Sequence, residues 1–140
     1  MIEPLGFEAA SLRHKAEVID KLEKHGAHSA FKLVHDTFHH HLAGESEIFA
    51  DYTGMVHISG VADHSLSIAS MRDEHRILVD KLDQLGNLQQ LLEFQRAGYS
   101  GPVSTEAFSP EVHAFSDPVA MLRESHDFIM SATAQAEVAC

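Results

Sequence analysis

Apolar residues recur at spacings of three and four along four stretches of the chain, the period of one buried helical face. The first stripe runs through Leu12, Ile19 and Leu22, with His14, Val18 and His25 on its flank. The second holds Phe31, Val34, Phe38, His41, Glu45, Ile48 and Tyr52, and the third His64, Ile68, Met71, His75, Leu78, Leu82 and Leu85. The fourth holds Val119, Leu122, His126, Ile129 and Thr133. Gly26 and the Gly86–Asn87 pair punctuate these stretches, and Asp117 before Pro118 supplies an N-cap followed by proline at the first helical position. The pattern predicts helices over 8–25, 27–52, 63–85 and 118–137. It adds a short extra helix over 87–97 and a long loop over 98–116 before the last helix. No period-2 run of β-branched residues stands out. Short connections favour antiparallel neighbours, so the expected fold is all-α, an up-down antiparallel four-helix bundle forming one domain over residues 1–140.

Composition narrows the functional classes. With 10 Lys+Arg against 21 Asp+Glu the net charge is −11, which repels phosphate backbones and argues against a nucleic-acid binder. No apolar run is long enough to span a membrane, and the N-terminus lacks the basic-then-apolar order of a signal peptide; a cytoplasmic protein is expected. The single cysteine, Cys140, reads as a free thiol. Histidine is abundant, at 12 residues, and its placement carries the candidate chemistry.

His41 and Glu45 are one turn apart inside the second apolar stripe. His75 and His126 lie inside the third and fourth, and His14 at the edge of the first. Counted from the predicted helix ends, these five side chains fall within a few turns of one level. Buried imidazoles and carboxylates without partners cost about 2–7 kcal/mol each. A metal bonded to their lone pairs offsets that cost, and mixed imidazole and carboxylate donors suit iron, manganese or zinc. Phe31, Phe38, Ile68 and Met71 would wall such a site. His28, His35 and His39 are expected on the opposite, solvated face of the second helix, where His35 and His39 could chelate a metal adventitiously.

The segments FHHHLAGESEIF (Phe38 to Phe49), MRDEHRILVDKLDQL (Met71 to Leu85) and LRHKAEVIDKL (Leu12 to Leu22) together resemble the hemerythrin-like, HHE cation-binding, domain family. That resemblance implies a four-helix bundle around a non-haem di-iron centre with His14, His41, Glu45, His75 and His126 as ligands and Glu45 as the bridging carboxylate. Met71 and Met130 stand where the family pattern carries further ligands, leaving His64, Glu74 or Asp127 to complete the set. The implied function is binding or sensing of oxygen, nitric oxide or iron, with a diatomic ligand as partner, rather than catalysis. Other divalent metals suit the same donors.

Two other readings stay open on the sequence. His40-x-Leu42-Ala43-Gly44-x-Ser46 resembles the phosphoacceptor element of histidine phosphotransfer domains, with an exposed His40 as phosphoacceptor and no metal. A structural or interaction bundle with a degenerate metal site is the third. The sequence leaves the oligomeric state open.

Overall fold

The computed structural model describes residues 1–138; Cys140 lies outside them. An extended N-terminal segment places Ile2 beside Leu33 in parallel orientation, through Ile2 N–H to Lys32 O (2.9 Å) and Val34 N–H to Ile2 O (2.8 Å). Helix α1 (Lys15–Lys24) buries Val18 and Leu22. Then come strand β1 (Leu33–Asp36), helix α2 (Thr37–Ala43), strand β2 (Thr53–Ile58), helix α3 (Asn87–Arg96), strand β3 (Val103–Thr105) and helices α4 (Pro110–His113) and α5 (Pro118–Val138).

The three strands form one parallel sheet in the order β1-β2-β3. The register sets Asp36 beside His57, and His57 beside Ser104. Parallel neighbours require crossovers. The β2-to-β3 crossover is a long excursion, from residue 59 to 102, that includes α3. Gly60 anchors this excursion through two bonds with Ile77, each 2.8 Å. One face of the sheet packs against helices. Val56 and Ile58 meet Phe94 of α3 and Phe128 and Ile129 of α5, while Leu33 meets Val18 and Leu22 of α1. A further cluster, Phe38, Leu42, Val61, Met71 and Leu85, seals α2 against the excursion.

The expected all-α, up-down four-helix bundle is therefore corrected to helices on a parallel sheet. The sheet hides in the predicted helix 27–52 because all four β1 residues, Leu33, Val34, His35 and Asp36, are buried. A strand covered on both sides does not alternate apolar with polar. The predicted helix 63–85 is a loop with two short 3-10 turns, Ile68–Ser70 and Asp73–His75. Its apolar residues at helical spacing instead cover the core singly, as Met71, Leu78 and Leu85 do. The expected long loop over 98–116 contains β3 and α4. The short helix over 87–97 and the last helix form, the latter capped by Asp117 Oδ1 accepting from Ala120 N–H at 3.0 Å. Among the described residues no helix is long and apolar enough to cross a membrane.

Gly6 lets the N-terminal segment pass against α2. A Cβ there would overlap the carbonyl oxygen of His39 and approach Leu42 Cβ to 2.8 Å. Both obstacles belong to a buried helix that cannot yield cheaply. Gly6→Ala is expected to destabilise the protein by about 1–3 kcal/mol, read as a fall in the urea midpoint; an unchanged midpoint would show that the segment can lift off α2.

Candidate metal centre

Successive parallel segments each deliver one donor at the same edge of the sheet. Glu3 follows the Ile2 bridge, Asp36 ends β1, His57 lies one residue before the end of β2, and Glu106 follows β3, its N–H donating to Ile58 O at 2.8 Å. One donor atom from each of these four residues lies within 4.8 Å of the others. His57 Nδ1 is 3.4 Å from Glu106 Oε1 and 3.7 Å from Glu3 Oε1. Strand ends place these groups because a parallel sheet brings all its carboxyl-terminal ends to one side.

Asp36 is held tightly. Its Oδ1 caps α2, accepting from Phe38 N–H (2.9 Å) and His39 N–H (3.0 Å). Its Oδ2 accepts from Arg76 Nη2 at 2.5 Å. The same Nη2 donates to Glu106 Oε2 (2.9 Å), Nη1 to Asp73 Oδ1 (3.2 Å) and Nε to Ser59 Oγ (2.9 Å). The Phe38 and Phe108 rings lie 4.9 and 4.8 Å from the guanidinium carbon. Burial works to lower the Arg76 pKa, but Asp36, Asp73 and Glu106 outweigh it and raise it.

Three carboxylates in one small volume leave a residual strain of charge. Burial, then Asp36 and Glu106, push Glu3 above the ordinary carboxylate value against the opposing pull of His57 and Arg76. His57 Nδ1 is buried without a hydrogen-bond partner, while Nε2 approaches Met55 Sδ at 3.1 Å. With its proton on Nε2, the ring turns a lone pair towards the carboxylates. An orphaned imidazole nitrogen among acidic oxygens is the donor set that a divalent cation satisfies, so these residues fit a metal.

Among the described residues this is the grouping of three or more His, Cys, Asp or Glu donors, and none of the sequence-proposed ligands belongs to it. Glu45 instead ties α1 down, with Oε1 accepting from Lys15 N–H (2.9 Å) and Oε2 pairing with buried Lys15 Nζ (3.1 Å). His14 sits at the N-cap of α1. His41 is half-buried near the end of α2, and burial lowers its pKa while Asp83 opposes. His75 Nδ1 accepts from Arg72 N–H (2.9 Å), and His126 is exposed on α5. His64 and Glu74 are also exposed. His40 Nδ1 faces Lys15 Nζ at 2.5 Å and is not the free, exposed imidazole of a phosphoacceptor. His35 and His39, expected on a solvated face, are buried; His35 Nε2 meets Gln90 Oε1 at 2.8 Å.

The site residues that the sequence reading passed over are Glu3, Asp36, His57, Glu106 and Arg76. One local signal pointed to Asp36: an acidic residue followed by Thr-Phe-His is an N-cap pattern inside a supposed helix. The others are spread from residue 3 to residue 106 and share no local motif.

The profile of one family, described as xylose isomerase-like TIM barrel, matches residues 1–132. The chain belongs to this family. A xylose isomerase domain containing protein from Salmonella typhimurium LT2 is 33% identical, with TM-score 0.81, over 94% of this chain and 48% of that one. The IolI protein, whose structure holds a zinc atom, is 21% identical with TM-score 0.73, over 94% of this chain and 48% of that one. A xylose isomerase domain protein from Alicyclobacillus acidocaldarius subsp. acidocaldarius is 20% identical with TM-score 0.78, over 96% and 50%. The last two show the fold alone. No curated protein matches the sequence. The chain thus spans about half the length of the structures it resembles.

These findings overturn the hemerythrin-like resemblance, and with it the oxygen-, nitric-oxide- or iron-sensing function. The phosphotransfer and degenerate-bundle alternatives fall on the same ground, since both presuppose a helical bundle. The motif that suggested them, FHHHLAG, is α2 with its glycine C-cap at Gly44, φ 67°.

Burial, chiefly, drives the pKa of His39 and of His40 down to about 4 from an ordinary 6.5 and that of His35 well below 6.5. The folded state keeps these rings neutral, so the unfolded chain takes up protons first as pH falls. Their contribution is complete above 6.5 and is lost as pH drops towards about 4. The urea midpoint should decline across that window, and His40→Gln should shallow the decline; an identical slope in the variant would rule this cause out.

Proposed function

We propose that this chain supplies the metal-binding half of a (β/α)8 barrel that isomerises or epimerises a small hydroxylated carbonyl compound of the sugar type. The observation that carries this reading is the meeting of Glu3, Asp36, His57 and Glu106 at the carboxyl ends of adjacent parallel segments. In barrels of this kind chemistry is built from those ends. The family membership and the zinc of the IolI protein support the same reading. One imidazole and three carboxylates accept zinc, manganese or iron.

A cation held by these four residues would polarise a substrate carbonyl and acidify the hydrogen on the adjacent carbon. The protein's own groups divide the remaining work. Glu3 turns Oε1 towards His57 and the cluster, and its second oxygen would serve proton transfer at that carbon. His39 stays neutral in the wall behind the cluster, its Nδ1 buried and unbonded. Arg76 holds Asp36 and Glu106 in place, and the rings of Phe7 and Phe38 beside His39 limit the access of water. β3 is an edge strand among the described residues, so in this reading the strands that close the barrel, and the opposite wall of the substrate pocket, lie outside it.

Calorimetric titration with zinc should show one site per chain, lost in His57→Ala and in Glu106→Gln. No binding by the unaltered protein, or full binding by both variants, would remove the basis of the proposal. With zinc bound, solvent deuterium should enter a ketose at the carbon beside its carbonyl, and Glu3→Gln should slow that exchange by roughly 10²–10⁴-fold without abolishing metal.

A further inference from the structure

Arg76 is the buried cation of the site, its side chain 1% exposed. It makes four polar contacts and lies between two aromatic rings. Its position raises a question of competition. Asp36 Oδ1 is already committed to two backbone N–H groups of α2. The oxygen left for a cation is Oδ2, and that oxygen carries Arg76 Nη2. Glu106 is shared in the same way, with Oε1 towards His57 and Oε2 on the same Nη2.

We propose that Arg76 is the resident counter-cation of the site and sets its metal affinity by competing for Asp36 and Glu106. This rests on the metal-site reading above. Without metal, the guanidinium neutralises carboxylates that otherwise repel one another in a buried space. A divalent cation arriving at Oδ2 meets a fixed positive charge next to its ligands and draws electron density from the same oxygens. Binding therefore weakens the Nη2 bonds, and the energy of those bonds is subtracted from the metal's affinity. Two further contacts decide how hard Arg76 competes. Asp73, half-exposed and outside the donor cluster, draws the guanidinium away from Asp36 through Nη1. Ser59, fully buried, holds Nε and keeps the head group in place.

The test is the zinc dissociation constant of the full chain by chelator competition. Arg76→Met keeps an unbranched side chain between the Phe38 and Phe108 rings and removes the charge; it should bind zinc about tenfold tighter or more, a change worth about 1.4 kcal/mol. Asp73→Asn leaves Arg76 to Asp36 and Glu106 alone and should bind about threefold weaker. Ser59→Ala loosens the guanidinium and should bind about threefold tighter. The opposite signs of the last two are the signature of competition, because a general loss of rigidity would weaken both. Should Arg76→Met fail to fold, that pair decides. Unchanged or weaker binding by Arg76→Met, or a shift of the same sign in Asp73→Asn and Ser59→Ala, overturns the proposal while leaving the metal site standing. No zinc binding by the unaltered protein defeats the metal reading itself, and the competition with it.

Discussion

The buried carboxylate of Asp36 is the constraint on which the rest of the site depends. Its side chain is fully enclosed, and a charge in that position is tolerable only because three donors, two backbone N–H groups and one guanidinium N–H, surround it. Two of those donors are the first turn of α2, so the residue that ends β1 also starts the following helix. The remaining oxygen is thereby aimed at Arg76 and at the ends of the neighbouring strands. Local backbone geometry and site electrostatics are one problem here, solved by one side chain. A residue that merely capped the helix could sit at the surface; this one is buried because the strand before it is.

From Asp36 the arrangement spreads through sheet register. β1 lies beside β2 and β2 beside β3, so a donor at the end of each arrives at the same level without any sequence motif linking them. The long excursion after β2 returns Arg76 to this level through the Gly60–Ile77 bridge, and Arg76 O in turn accepts from Phe108 N–H and Ser109 N–H. The backbone of Arg76 therefore joins the excursion to the segment after β3, while its side chain joins their carboxylates. Charge neutralisation and loop closure reinforce each other.

Legibility in the sequence follows from which forces are local. α3 and α5 were readable because their ends carry turn and cap chemistry, Gly86 with φ 75° before one and Asp117 with Pro118 before the other. β1 was not, because burial on both sides erased its alternation and left residues at helical spacing by coincidence. The stretch 63–85 carries apolar residues at helical spacing, but polar residues between them form turns that break a helix. Asp63 accepts from Ser65 N–H, Ser70 Oγ donates to Ser67 O, and Asp80 accepts from Leu82 N–H, each a turn that competes with helical bonding. The site itself was invisible for a different reason, since Glu3, Asp36, His57 and Glu106 are joined only by the sheet.

The histidines show how composition can point towards a kind of chemistry and away from its place. An excess of imidazole suggested a layer of ligands, yet only His57 joins the donor cluster. His35 and His40 serve packing, stacked at 4.7 Å beside Phe94 and Lys15 and held neutral by burial. A neutral buried imidazole with a partner is a stable core residue. An imidazole nitrogen facing carboxylates without a hydrogen bond is not, and it remains in place because the rest of the sheet holds it there. His35 and His39 also leave Nδ1 unbonded, so what distinguishes His57 is that its free nitrogen faces the carboxylates of three neighbouring segments, a property of the fold and not of the residue.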